Sequence, residues 1–383
     1  MRILTPITPP GLPDERRFTM PQITERRELL KTILATGVAP FVPTRAFAQT
    51  QVVSVVGNPG LHHELWKRWA TMAAQDTQGA IQIKYDPIGY APAYARIKGE
   101  FETKNFLTDI FYNDAPFPEQ LWNEGMLREI PYKDMPNTQK LFAYARRPYG
   151  LEVFNTIWGI VGFNTNFVKA ADFKQPVTWD EFANPRWKGR VSWVDARAFP
   201  AWVPVIVNQY GDKWIDYCKR VDANVKTYHS RWIDNRIGMQ RGDSWLTFHN
   251  WATIYIGNKN EQASVEGLPV ATPLQSMGNL PVSMSLLKNG PNQATAIKLM
   301  DLCSQAKYTK VLHEIGLNPS NHPDNFPAAM PLLMLQVNNA STIGVSKWEE
   351  VAKHVKPIDG LEWAKKMPHY VAQWEQEVLK KRS

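Results

Sequence analysis

Val52-Val53-Ser54-Val55-Val56 is an apolar run of strand length, closed by the turn signal Gly57-Asn58-Pro59-Gly60. From His62 to Ala74 the apolar residues change to helical spacing, with Leu65, Trp66, Trp69 and Ala73 on one face. Ala80 to Tyr85 alternates as a strand, Ala91 to Glu102 reads as a helix, and Asp109-Ile110-Phe111-Tyr112 is a short strand. A helix around Glu119 to Asn123 follows. This alternation at short spacing defines α/β units with a mainly parallel sheet.

A second series begins with the apolar stretch Thr156 to Phe163. Strands are predicted at Arg190–Val194, Ser244–His249 and Leu268–Thr272, with helices at Phe199–Gln209 and Trp251–Asn258 between them. Ser283–Leu287 reads as a return strand and Ala294–Ser304 as a helix. Beyond Tyr308 the pattern is mostly helical with Pro breaks. There is no internal repeat and no low-complexity linker, so the two series are expected to be joined by crossover strands near Gly150–Trp158 and Pro281–Leu287.

Composition narrows the class. The chain has 383 residues, 44% hydrophobic and 21% charged, enough for two lobes and too apolar for extensive disorder. Two cysteines, Cys218 and Cys303, can build neither a disulfide framework nor a four-cysteine zinc site. The net charge is +8, but residues 1–48 carry +3 of it, leaving +5. The basic residues form no run of five, so nucleic acid is not expected as a partner.

Residues 1–48 read as an export signal. Glu25-Arg26-Arg27-Glu28-Leu29-Leu30-Lys31 precedes a short apolar run from Thr32 to Val42, then the small-residue site Ala46-Phe47-Ala48. The run is too short to span a bilayer, which takes about 20 apolar residues. The paired arginines resemble the twin-arginine signal, with Glu25 in place of the usual Ser or Thr and Leu29 in place of Phe. Cleavage is expected after Ala48, releasing a chain that starts at Gln49 into the periplasm without stable membrane insertion.

Enzyme signatures are missing. His62-His63-Glu64 lacks the His-x-x-x-His spacing that puts two imidazoles on one helix face, and reads as a solvated helix start. There is no Gly-x-Ser-x-Gly elbow, no phosphate-binding Gly-x-x-x-x-Gly-Lys-Ser/Thr loop and no Gly-x-Gly-x-x-Gly after the first strand. No catalytic residue, metal or cofactor is therefore assigned.

Several stretches, in order, resemble the extracellular solute-binding proteins of bacterial ABC importers, in the class that includes polyamine-, iron-, thiamine- and phosphonate-binding members. They are Asp109 to Asp114 with Leu121 to Leu127, Trp158 to Asn166, Lys288-Asn289-Gly290-Pro291-Asn292 and Ile315 to Asn321. The most specific is Thr178-Trp179-Asp180-Glu181-Phe182 through Asn184-Pro185-Arg186-Trp187-Lys188-Gly189. The resemblance implies a two-lobed α/β fold of the type II periplasmic-binding-protein kind. Residues 49–155 and 284–383 would form lobe 1 and residues 156–283 lobe 2, closing on a small-molecule ligand by hinge motion. It implies a monomer whose partner is the membrane permease of the importer. The alternatives are an exported enzyme on a similar fold and a sensory binding protein without transport.

In open α/β sheets ligands bind beyond the carboxyl ends of the strands. That rule selects Asn58, Tyr112, Asn113, Asp114, Asp195, Arg197, Phe199, His249, Asn250 and Trp251, with Trp158 at the crossover. Competing roles are open to several of them: Trp158 and Trp251 as core, Asp195 as a cap, Arg197 as a surface ion-pair partner, His249 as an interior hydrogen-bonded residue. Ala198, Ala252-Thr253 and Val282 stand where polyamine-binding relatives carry Glu, Gly-Asp and Asp, which disfavours a dication. The adjacent tyrosines of iron-binding relatives are also missing. The set points to a small organic anion or zwitterion held by Arg197. The alternative is a monocationic amine in an aromatic cage with Asp114 or Asp195 as counter-charge.

Overall fold

A computed structural model describes residues 50–157, 160–174, 177–249, 263–269, 279–315, 317, 321–325 and 359–380. The first unit runs β1 (Gln51–Gly57), α1 (Leu61–Asp76), β2 (Ile81–Pro87), α2 (Tyr90–Thr103), β3 (Ile110–Asp114) and α3 (Phe117–Asn123). The short β4 (Arg146–Arg147) and the longer β5 (Gly150–Ile157) follow. A second unit holds β6 (Ile160–Asn164), β7 (Val191–Val194), α4 (Val203–Tyr210), α5 (Trp214–Asp222) and β8 (Val225–His229). It continues through α6 (Trp232–Arg241), β9 (Leu246–His249) and β10 (Val265–Pro269). The chain then returns through β11 (Asn279–Leu286), α7 (Gln293–Cys303) and α8 (Ala306–Ile315), and α9 (Gly360–Trp374) comes last.

The strands form two sheets, ordered β2-β1-β3-β11-β5-β4 and β10-β6-β9-β7-β8. The predicted parallel character holds for β2-β1-β3 and for β9-β7-β8, whose connections run through helices. The other pairings are antiparallel, because their strands carry the chain between sheets. β5 leads from the first sheet into β6 of the second, and β10 leads back into β11. β5 and β11 lie side by side, so the two predicted crossovers are neighbours.

β1 occupies the interior of its sheet, which explains its unbroken apolar run: Val53, Val55 and Val56 are fully buried. It ends at Gly57, where any Cβ would collide with the Tyr112 carbonyl on β3. The predicted face of α1, Leu65, Trp66, Trp69 and Ala73, is the buried one. Behind this sheet α1, α7 and α8 close a core that includes Trp69, Met300, Cys303 and Leu312. The second sheet packs on an aromatic cluster of Trp179, Phe182, Trp193, Trp202, Tyr217 and Phe248.

The segment Thr178 to Gly189 builds that second core. Glu181, 8% exposed, accepts hydrogen bonds from Arg186 Nη2 at 2.6 Å and Nε at 3.1 Å, and from Trp187 Nε1 at 2.6 Å. Its specificity in sequence thus reflects packing around a buried carboxylate. Cys218 on α5 and Cys303 on α7 are both buried and free. Among the described residues, no helix is long and apolar enough to cross a membrane.

Among the described residues, the predicted elements and the observed ones differ at the second sheet. The unit from α5 through α6 has no counterpart in the predicted elements. The strand expected at Leu268–Thr272 is found at Val265–Pro269, pairing with β6. The helix expected at Trp251–Asn258 lies outside the described residues.

Candidate functional site

An aromatic contact links the start of the helix after β2, in one sheet, to the loop after β7, in the other. Tyr90, the first residue of α2, has its ring centroid 4.3 Å from that of Phe199, in the loop after β7. Phe199 is fully buried and also packs on Trp232 at 5.6 Å.

On the first side, Asn58 follows β1 and Asp114 ends β3, the two strands being parallel neighbours. The Asn58 Nδ2 group donates to Asp114 Oδ2. The Asn58 backbone carbonyl accepts the Tyr85 hydroxyl at 2.5 Å. Asn58 Oδ1 is buried and has no hydrogen-bond partner among the described residues. A buried acceptor left unpaired costs about 1–3 kcal/mol, so this position is ready to take a donor. Asn113 Oδ1 accepts the Asp114 backbone N–H at 2.9 Å. Burial raises the Asp114 pKa to about 7, in spite of the opposing Asn58 hydrogen bond. Glu119 on α3, almost fully buried, is likewise pushed up to about 7 by burial.

Tyr112 is part of the core. Its ring meets those of Trp66 at 5.4 Å and Tyr85 at 6.5 Å, and its hydroxyl lies 3.1 Å from His62 Nδ1. Burial lowers the His62 pKa to about 3, so the imidazole beside the phenol is neutral. His62 therefore packs against Tyr112 and Phe154 instead of lying in solvent as the helix-start reading expected.

On the second side, Asp195 and Arg197 form a closed motif. Asp195 Oδ1 accepts the Arg197 backbone N–H at 2.8 Å, and the guanidinium forks onto the same carboxylate, Nε to Oδ1 at 3.1 Å and Nη2 to Oδ2 at 2.7 Å. Arg197 Nη1 reaches Glu375 Oε1 at 3.3 Å. The ion-pair role open to Arg197 is thus filled, whereas Asp195 closes a turn onto the Arg197 N–H and does not cap the following helix, whose N-cap makes no side-chain bond. His249 ends β9 and pairs with Ile160 through the backbone. Trp158, Asn250 and Trp251 lie outside the described residues.

The structure adds Tyr85, Tyr90, Glu119 and Trp232 to the neighbourhood of the site. Tyr85 and Tyr90 flank the carboxyl end of β2, so the strand-end rule applied to that strand would have found them. Trp232 opens a helix that the hydrophobic pattern had not delineated.

These features define a protein of two α/β lobes, each built on its own sheet. Residues 105–352, more than half of the chain, match the family of bacterial extracellular solute-binding proteins, and the chain belongs to that family. Among solved structures it is similar to the periplasmic binding protein AfuA from Actinobacillus pleuropneumoniae, with fructose-6-phosphate bound. The TM-score is 0.67 and the identity 17%, covering 86% of this chain and 99% of that one. AgtB from Agrobacterium tumefaciens R10, in complex with agropinic acid, gives a TM-score of 0.64 at 17% identity, over 86% of this chain and 98% of that one. The spermidine/putrescine protein PotD from Streptococcus pneumoniae gives 0.62 at 12% identity, over 86% and 99%. No curated protein matches the chain.

Proposed function

We propose that this chain is the solute receptor of an ABC importer. It takes a small organic solute between residues 49–155 with 284–383 on one side and residues 156–283 on the other, and presents it to a membrane permease. The observation that carries this reading is the buried Asn58–Asp114 pair, with an unpaired amide oxygen, beside the Tyr90–Phe199 contact between the two sheets. Buried polar groups are normally satisfied, and here a ligand donor completes the set.

The geometry favours a solute that carries one amino group, as an amine or as a zwitterion. Asp114 supplies the counter-charge and Asn58 Oδ1 a second acceptor. Tyr85 and Tyr90 supply aromatic surface. Arg197 is less available to an anion than its sequence position suggests, since two carboxylates of the protein already hold it. The second reading, an anion at Arg197, draws on the half-exposure of that side chain, 48%.

A thermal-shift screen of amines, amino acids, opine-like zwitterions and sugar phosphates tests the receptor reading. A ligand of the folded state at a hundredfold excess over Kd raises stability by about 2.7 kcal/mol. A screen in which no solute shifts the transition, or in which a shifting solute is turned over, contradicts it.

The same reading includes export to the periplasm with cleavage after Ala48. Mass spectrometry of a periplasmic extract should find Gln49 as the first residue, and an intact Met1 overturns the cleavage. Replacing Arg26 and Arg27 by Lys should block export by the twin-arginine route, and export that persists assigns the general secretory route.

A further inference from the structure

Helix α9 touches both sides of the site. At its start Asp359 caps it, Oδ1 accepting the Glu362 N–H at 3.0 Å. The next residue, Gly360, lies so close to the buried Glu119 of α3 that any Cβ would collide with the carboxylate. Further along, Tyr370 packs on Trp214 at 5.3 Å, and Trp374 on Tyr228 at 5.2 Å and Trp202 at 6.2 Å. The following π-helical turn, Glu375–Leu379, turns two carboxylates toward the second sheet's unit. Glu377 pairs with Lys219 of α5 at 2.6 Å, and Glu375 with Arg197 of the loop after β7.

The loop holding Arg197 is internally rigid. The Asp195 N–H donates to the His229 carbonyl at 2.8 Å, and the Asp195 carbonyl accepts from Ala198 at 3.1 Å and Phe199 at 2.9 Å. Arg197 is locked onto Asp195 through both backbone and guanidinium. Residues 195–199 therefore move as one piece, and Phe199 at their end makes the contact with Tyr90.

We propose that Arg197 is a positioning residue. It couples the pocket loop to the C-terminal helix through Glu375, and this link sets how far Phe199 is held against Tyr90. The proposal rests on the receptor reading for its functional meaning, but its geometry concerns the protein without solute. A ligand that needs the closed form binds more weakly in proportion to the fraction of closed protein lost.

The test measures the distance between the two units in the solute-free full-length protein. Spin labels are placed at Glu102→Cys and Ala170→Cys, both exposed, with the buried Cys218 and Cys303 left in place. Glu375→Lys reverses the charge facing Arg197, and Arg197→Ala removes the link from the other side. Each should raise the population of long distances about three- to fivefold, the scale of an exposed ion pair, and the double variant should add nothing further. Glu377→Gln removes the neighbouring pair on the same turn and should leave the distribution unchanged. The proposal is overturned if Glu375→Lys has no effect, or if Glu377→Gln has the same one. No solute enters this readout, so failure of the solute screen and failure of the link remain distinguishable.

Discussion

The rings of Tyr90 and Phe199 meet at 4.3 Å between centroids, inclined by 55°, and belong to helices and loops of different sheets. Tyr90 opens α2 at the end of β2, while Phe199 closes the rigid turn that starts at Asp195. The contact holds the two sets of strand ends together beside the Asn58–Asp114 pair.

Replacing Phe199 by Ala should lower stability by about 3 kcal/mol, near the low end for a buried Phe, because opening of the two units relieves part of the cavity. Phe199→Leu, which keeps most of the volume, should cost less than about 1.5 kcal/mol. Urea unfolding followed by tryptophan fluorescence reads both. The absence of a loss in both variants would show that ring packing against Tyr90 contributes nothing, and equal losses would assign the whole cost to the ring and none to side-chain volume.

The buried carboxylates make a signed prediction about pH. Asp114 and Glu119 have folded pKa values raised to about 7, from ordinary values of 3.8 and 4.5. Between those limits the folded chain binds more protons than the unfolded one, so stability falls as pH rises from about 5 to 7.5. Asp114→Asn and Glu119→Gln should each flatten the slope. Denaturation midpoints across that range check it, and a slope unchanged in both variants would exclude these groups as its source.

Glu181 shows how a sequence signature can belong to the core. Glu181→Ala leaves the Trp187 Nε1 group buried without its acceptor and frees Arg186 from its partner. The expected loss is about 2–4 kcal/mol, with solute affinity unchanged in the protein that remains folded. Calorimetric unfolding together with a binding titration separates the two quantities, and weakened binding in a well-folded Glu181→Ala protein would contradict a purely structural role.

The fold was legible where burial is continuous. The interior strands β1 and β3 appear in sequence as apolar runs because both their faces are covered. β8 was not legible: of Val225 to His229 only Val225 is buried, as suits an edge strand, so no run marks it. The strand-end rule placed Asn58, Asp114, Asp195 and Phe199 at strand ends of the two sheets, because parallel topology fixes where those ends lie. It assigned Arg197 to the ligand without seeing Glu375, since a contact across 178 positions leaves no local trace in sequence.

The ligand's charge follows from which side of the site responds to mutation. An ammonium group requires Asp114 ionised, so affinity for an amine should rise with pH through about 7 and level off above it. Asp114→Asn removes both the counter-charge and the titration. Loss of a buried charge partner costs about 2–5 kcal/mol, at least roughly thirtyfold in affinity. The remaining binding should be independent of pH. Arg197→Ala should weaken the same amine by only about three- to fivefold, through the lost tie to Glu375. For an anion the order reverses: Arg197→Ala costs at least about thirtyfold, and Asp114→Asn leaves binding equal or tighter. Isothermal titration of a hit from the solute screen against both variants, at pH 6 and pH 8, separates the two ligand classes. A strong loss confined to Arg197→Ala would reject the amine reading and return the site to a carboxylate or phosphate-bearing solute.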